Sequence, residues 1–317
     1  MKDCIKKETV PPFLTVQVIV DICIWLAIGL PVLVLYLTGS PYKAGFFCED
    51  TSLKYPYKEN TISDALLTGS AFGVTAITLL LVEILNRFDK KNRCSFGNPF
   101  TCLKGFGIFL FGFVMEQLFT EVLKDAVGRL RPNFFDVCRP DFSSIDCSQR
   151  YVTNYTCTND EHSATILRDS HRSFPSGHAA FSMYTSMYLV FYLEKRLDVS
   201  YSHILKPTMQ AALILMALLC SVSRITDLVH HPSDVTAGVV LGLIVACAVF
   251  YSLGTKCLNV GECKKASISE DIERNSNPTL TGCQTTLTLL QNEFANHGQP
   301  DYFSSKCTNR NSNSVTV

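Results

Sequence analysis

"VQVIVDICIWLAIGLPVLVLYL", residues 16–37, contains one charged side chain, Asp21, in twenty-two positions. A bilayer core is crossed by roughly 20 apolar residues in a helix, so this stretch is long enough to span one. Five more apolar blocks follow, at 65–85, 103–123, 178–193, 207–222 and 235–253. The fourth and fifth are short, and either alone would also suit a buried helix of a soluble protein. Six in succession predict an all-α fold, an integral membrane bundle of six transmembrane helices. The expected layout is a short N-terminal segment, 1–15, a six-span domain, 16–255, and a tail, 256–317.

The totals exclude some function classes. The chain has 317 residues with 28 basic and 28 acidic side chains, so it lacks the basic excess that a nucleic-acid partner calls for. Its 47% hydrophobic content and mean hydropathy of +0.18 are ordinary, because the apolar residues are gathered into blocks. The opening Met-Lys-Asp-Cys lacks the short apolar region and small-residue cleavage site of a removed signal peptide, so the first block reads as a retained span. Six spans put both termini on one side. "KKE" near the start, "NRFDKKNR" at 86–93 and "EKRL" at 194–197 fall on that side, which the positive-inside rule makes cytoplasmic. The long loop 124–176 on the opposite face is nevertheless rich in arginine. Either the rule fails there, or those arginines serve another purpose.

That loop holds the only glycosylation sequon, "NYT" at Asn154, which is used only on a lumenal or extracellular face. It also holds Cys138, Cys147 and Cys157, with Cys48 in the first loop on the same face. A disulfide among these four is expected in an oxidising compartment, with the pairing left open. Others of the 14 cysteines, such as Cys23, Cys220 and Cys247, read as small apolar fillers within spans. After about 255 the chain turns to Asn, Ser, Thr and Gln, which reads as a disordered cytoplasmic tail. Cys257 and Cys263 there are either palmitoylation sites or plain thiols. Asp21, Glu83, Glu116 and Glu121 lie in or at the ends of apolar blocks, where charge is expensive, and are expected to face the bundle interior or a wet cavity. Gly238 and Gly242 form a small-xxx-small step, suited to close helix packing within the chain or to a dimer contact.

Three polar patches gather at span ends on the outer face: "KDAVGRLRP" at 124–132, "HRSFPSGH" at 171–178 and "SRITDLVHHPSD" at 223–234. Cations, imidazoles and few acids suit a tetrahedral oxyanion such as phosphate. Arg131 and Arg224 offer planar forks, Lys124 a point charge, and Ser176 with the amides around Gly177 the donors of a helix start. Two histidines can divide the remaining work, one attacking phosphorus and the other protonating the departing alkoxide. A carboxylate on the far nitrogen would fix the attacking ring, and Asp234 is the candidate. Each residue also has a plainer reading: the cations can snorkel to head groups, His178 can be an interfacial histidine, and Asp234 can be a helix cap.

The spacing Lys124, six residues, Arg131-Pro132, then Pro175-Ser176-Gly177-His178, then Ser223-Arg224, five residues, His230, three residues, Asp234 is similar to the signature of the phosphatidic acid phosphatase type 2 superfamily. "GRLRPNFFDVC", "SFPSGHAAFSMY" and "FFCEDTSLKYPYKENTI" resemble its lipid phosphate phosphatase branch, over residues 15–255. The resemblance implies six spans, no metal or other cofactor, and a site facing outward or into the lumen. It implies that Lys124, Arg131 and Arg224 bind phosphate with Ser176 and Gly177 assisting. His178 is then the general acid, His230 the nucleophile and Asp234 its orienting partner. The implied substrates are lipid phosphate monoesters: phosphatidic acid, lysophosphatidic acid, sphingosine 1-phosphate and ceramide 1-phosphate. The expected setting is the plasma membrane, with endoplasmic reticulum or Golgi as alternatives and a homo-oligomer possible. Two rivals remain: another phosphatase or transferase on the same scaffold, and a non-catalytic protein that binds lipid phosphates.

Overall fold

The computed structural model describes residues 12–88, 100–148, 151–198, 200–255 and 258. The tail from 259, with Cys263, lies outside the described residues, as do Cys257 and most of the N-terminal segment. Six long helices carry the fold: α1 (Pro12–Thr38), α2 (Asp64–Phe88), α3 (Phe100–Val127), α6 (Gly177–Arg196), α7 (Leu205–Thr226) and α8 (Pro232–Val249). Two short ones, α4 (Phe134–Cys138) and α5 (Ala164–Asp169), lie in the connection from α3 to α6. Among the described residues there is no strand beyond two isolated bridges, Phe46 with Val152 and Pro140 with Cys157. The chain is all-helical, as its blocks predict, although α1 starts four residues before the expected boundary at 16.

Five of these helices are long and apolar enough to cross a membrane: α1, α2, α3, α7, and α8 with the π turn that follows it. The exception is α6, and its place explains its composition. It packs against α2, α3, α7 and α8, and most of its side chains are buried. A helix enclosed by other helices meets little lipid, so it can carry Ser182, Thr185, Tyr184 and Tyr188 where a peripheral span could not. The tyrosines use their hydroxyls there, Tyr184 donating to the Phe109 carbonyl at 2.7 Å and Tyr188 to that of Gly105 at 2.6 Å. Gly238 and Gly242 of α8 lie directly against the α6 backbone, where an added Cβ would collide with the carbonyls of Ser176 and Ala180. The small-residue step thus serves packing within the chain.

Charges in the apolar blocks divide. Glu116 is fully buried and accepts from Thr120 and Gln117, Glu121 is buried in a network of cations, and Glu83 pairs with Arg196 at 2.8 Å. Asp21 departs from the expectation of an interior position: it is exposed. The reason lies in α1, which packs mainly on α3 and buries almost none of its own apolar length.

At one end of the helices the α1–α2 and α3–α6 connections pack together. Phe46, Leu53, Leu130, Phe134 and Val152 form a second, smaller core there. The four candidate cysteines pair as Cys48–Cys147, which joins the two connections, and Cys138–Cys157, which closes the second on itself. Asn154 is exposed on this cap.

Candidate active site

The site lies where helix ends meet beneath the cap. Lys124 sits in the last turn of α3, and Glu121 one turn earlier accepts from it at 2.8 Å. Gly128 then turns the chain with φ +60°, beside the Tyr42 carbonyl, where a side chain would clash. That turn delivers Arg131, whose backbone amide donates to the Ser170 carbonyl at 2.9 Å. Its Nε is buried without a protein partner, as expected of a donor kept for a ligand. Burial weakens its hold on its proton, and Asp169 and Asp64 nearby act the other way. A guanidinium remains charged at neutral pH all the same.

Ser176 is the N-cap residue of α6, and its buried hydroxyl is also unpartnered. Gly177 follows with its Cα beside the Lys124 ammonium, so backbone amides and a cation face the same space. His178, in the first turn, has Nε2 2.9 Å from the Ile62 carbonyl and Nδ1 3.6 Å from Asp64. A carbonyl only accepts, so Nε2 carries the hydrogen and Nδ1 is the nitrogen that exchanges a proton.

Arg224, in the last turn of α7, is almost wholly buried. Its Nε and Nη2 bond Ser223 Oγ at 3.1 Å, Nη2 also bonds Asp227 at 2.9 Å, and Nη1 bonds Asn60 at 3.2 Å. Most of its fork therefore serves to fix its plane. After α7 the chain passes through Leu228 in the left-handed region, φ 57°, and doubles back so that the His230 amide donates to the Arg224 carbonyl. His230 is buried, with Nδ1 2.7 Å from the Ser173 carbonyl. By the same logic Nδ1 holds the hydrogen, leaving the Nε2 lone pair free. Burial, reinforced by Arg131, pushes the pKa of His230 well below the usual histidine value, so the ring is neutral at pH 7.

Asp234 departs from the expected direct contact with His230. Its Oδ2 accepts from Ser173 Oγ at 2.6 Å and from the His231 amide at 3.0 Å, and lies 3.2 Å from His231 Nδ1. Its Oδ1 takes Arg129 at 2.5 Å. It is fully buried in the first turn of α8, and His231 is that helix's N-cap residue. A carboxylate at the third helical position is well placed to close the cap, and this geometry pulls Asp234 toward its own helix. The link to His230 runs instead through Ser173, whose hydroxyl bonds the acid and whose carbonyl holds the imidazole.

A cavity of about 250 Å³ gathers Lys124, Arg131, Gly177, His178, Arg224 and His230 in its wall. Ser176, next to Gly177, and Asp234 are not part of its lining. The sequence reading missed Ser173, Asn60 and Asp64 as members of the site, and Arg172, which bonds Glu121 at 2.6 Å and so braces the partner of Lys124. Ser173 and Arg172 stand inside the "HRSFPSGH" stretch and Asn60 near the end of "FFCEDTSLKYPYKENTI"; nothing local in sequence marks Asp64. Among the described residues no group of three or more His, Cys, Asp or Glu is arranged to hold a metal ion. Three cations around a neutral, tautomer-fixed imidazole, with a second imidazole across the same space, are arranged to bind a phosphate and exchange a group on it.

Known proteins resemble the chain over most of its length. The PAP2 superfamily model matches residues 105–257, which take in all three polar patches. Mouse phospholipid phosphatase 1 is 38% identical over 242 residues, covering 75% of this chain and 83% of the relative. Human phospholipid phosphatase 2 is 34% identical over 290 residues, 90% of this chain and 97% of the relative. A putative phosphatidate phosphatase of Drosophila melanogaster is 36% identical over 250 residues, 72% of this chain and 66% of that protein. With a patterned site on a helical membrane-type fold and relatives matched over most of their length, the chain belongs to the PAP2 superfamily, among its phospholipid phosphatases.

Proposed function

We propose that the protein hydrolyses lipid phosphate monoesters through a phosphohistidine. Lys124, Arg131 and the remaining Nη1 hydrogen of Arg224 hold the phosphate oxygens, with Ser176 Oγ and the amides around Gly177 completing the cradle. The Nε2 lone pair of His230 attacks phosphorus while the bond to the lipid oxygen breaks, and Nδ1 of His178 gives that oxygen its proton. Water then attacks the phosphohistidine, losing a proton to His178, and inorganic phosphate leaves with His230 restored. The observation that carries this reading is the single cavity that brings two imidazoles and four cations, Lys124, Arg131, Arg172 and Arg224, from α3, α6, α7 and the turns beside them to one place.

The helix ends support a placement in the membrane. Tyr36 near the end of α1, Asp64 at the start of α2, and the site residues at the end of α3, start of α6, end of α7 and approach to α8 all border that cavity. Six alternating helices meet this condition, with α6 as the sixth span and both termini at the far end. Two disulfides in the cap call for an oxidising compartment, which favours a site facing outward or into the lumen, cytoplasmic termini, and a protein of the plasma membrane or secretory pathway.

The test is phosphate release from lysophosphatidic and phosphatidic acid by the purified full-length protein in detergent micelles. Turnover is expected to persist in chelator and to vanish in His230→Ala, while His231→Ala keeps most of it. Acid-labile phosphate found on His231, or full turnover in His230→Ala, contradicts the assignment.

A further inference from the structure

Asp227 follows α7 directly, is fully buried, and lies outside the residues assigned above to phosphate or proton transfer. Its Oδ1 accepts from Thr61 Oγ1 at 2.6 Å and Lys58 Nζ at 3.1 Å. Its Oδ2 accepts from the Thr61 amide at 2.8 Å and from Arg224 Nη2 at 2.9 Å. One carboxylate thus ties the segment before α2 to the phosphate-binding guanidinium. The same segment reaches the site twice more, through Asn60 Oδ1 on Arg224 Nη1 and the Ile62 carbonyl on His178 Nε2. Within the five-residue segment 58–62, Lys58 and Thr61 reach Asp227, Asn60 reaches Arg224 and Ile62 reaches His178.

We infer that residues 58–62 form a strap, fastened by Asp227, that positions His178 for proton donation and Arg224 for phosphate binding. The inference rests on the function proposed above. The physical case is one of directions. Arg224 has five N–H donors, and Asp227, Asn60 and Ser223 occupy enough of them to fix the plane of its fork. His178 stands at a helix start, where ring rotation is free unless something holds Nε2, and the Ile62 carbonyl does so. With Nε2 committed, Nδ1 is aimed into the cavity. Burying a carboxylate is costly unless it is fully paired, and each of these four partners belongs to the strap or to the clamp. Asp227, Thr61, Asn60 and Ile62 are positioning residues: they act through Arg224 and His178.

The experiment compares an alkyl and an aryl leaving group on the full-length protein in micelles. Lysophosphatidic acid needs its alkoxide protonated, whereas p-nitrophenyl phosphate releases a phenoxide that leaves unaided. General acid catalysis contributes roughly 10²–10⁴-fold. Asp227→Asn is therefore expected to lower kcat on lysophosphatidic acid about 100-fold, and on the aryl phosphate by less than about 10-fold. Adding His178→Ala to Asp227→Asn should cost nothing further in kcat on lysophosphatidic acid beyond His178→Ala alone, as coupled residues require. Thr61→Val, at an exposed position, should shift the two substrates in the same unequal sense, and carries the test if Asp227→Asn fails to fold. Glu59→Ala, exposed in the same segment, should match wild type. Equal losses on both substrates, independent losses in the double variant, or unchanged kinetics in folded Asp227→Asn overturn the strap while wild-type turnover upholds the function. A wild-type protein that releases phosphate from neither substrate overturns the function itself, and the strap with it.

Discussion

In the proposed mechanism His230 must be neutral to attack, because protonation removes the lone pair it uses. Burial and Arg131 both hold its pKa below the ordinary value near 6.5, so activity should persist at pH values where a free imidazole is already protonated. The acid limb of kcat/KM is expected well below pH 6.5. Arg131→Gln should move that limb upward as well as weaken binding. A limb that stays in place in Arg131→Gln speaks against His230 as the titrating group. Ser173 sets a second expectation: Ser173→Ala leaves the carbonyl on His230 intact and removes only the bond to Asp234. It should lower kcat by about 10-fold, roughly what one hydrogen bond to a charged group is worth. Loss in Asp234→Asn should be larger, since the charge is removed and one of the two oxygens that serve Arg129 on one side and His231 and Ser173 on the other becomes an NH2 donor. The cations and histidines were legible in sequence because residue type and spacing declare them. Ser173 was not, since its main contribution is a backbone carbonyl, which every residue has, and Asn60 works from over a hundred residues away.

At the scale of elements, apolar length revealed four long helices directly, and α6 and α7 only in the company of the others. The hydroxyls of Tyr184 and Tyr188 are satisfied by α3 carbonyls, an arrangement that hydropathy cannot register. The contact of α6 with α8 should be the least forgiving in the bundle. Gly242→Ala places a methyl against the Ala180 carbonyl, which is backbone and cannot step aside. Overpacking of this kind typically costs about 1–3 kcal/mol, so a lower unfolding temperature in micelles is expected, with Gly69→Ala, where nothing lies near, as the comparison. An unchanged melting temperature in Gly242→Ala argues against this close approach. Asp21 was misread because a charge in an apolar block is normally sheltered by neighbours, and α1 has too few of them.

For the whole molecule, zero net charge and six apolar blocks set the class, while the arginine-rich outer loop looked like a violation of the charge rule. Arg131 lines the cavity, Arg129 holds Asp234, Arg172 holds Glu121 and Arg139 pairs with Glu161. Those arginines are engaged in the site and its cap, so their number says little about sidedness. The orientation proposed here predicts that glycosidase treatment shifts the protein on a gel, and that Asn154→Gln abolishes the shift. Terminal tags cleaved by protease in intact cells would reverse the orientation.

The enclosed position of α6 also bears on how the chain is made. Spans are handed to lipid as they emerge from the ribosome, and each is judged first by its own affinity for the bilayer. Serine, threonine and tyrosine through α6, with Glu194, Lys195 and Arg196 at its end, give it a poor claim to entry alone. α7 and α8, which cover it in the finished protein, are synthesised later. Insertion of α6 should therefore wait for them. A chain stopped after Arg196 and given a reporter sequon is expected to carry sugar there, with α6 left on the lumenal side. The same reporter before α7 in the complete chain should stay bare.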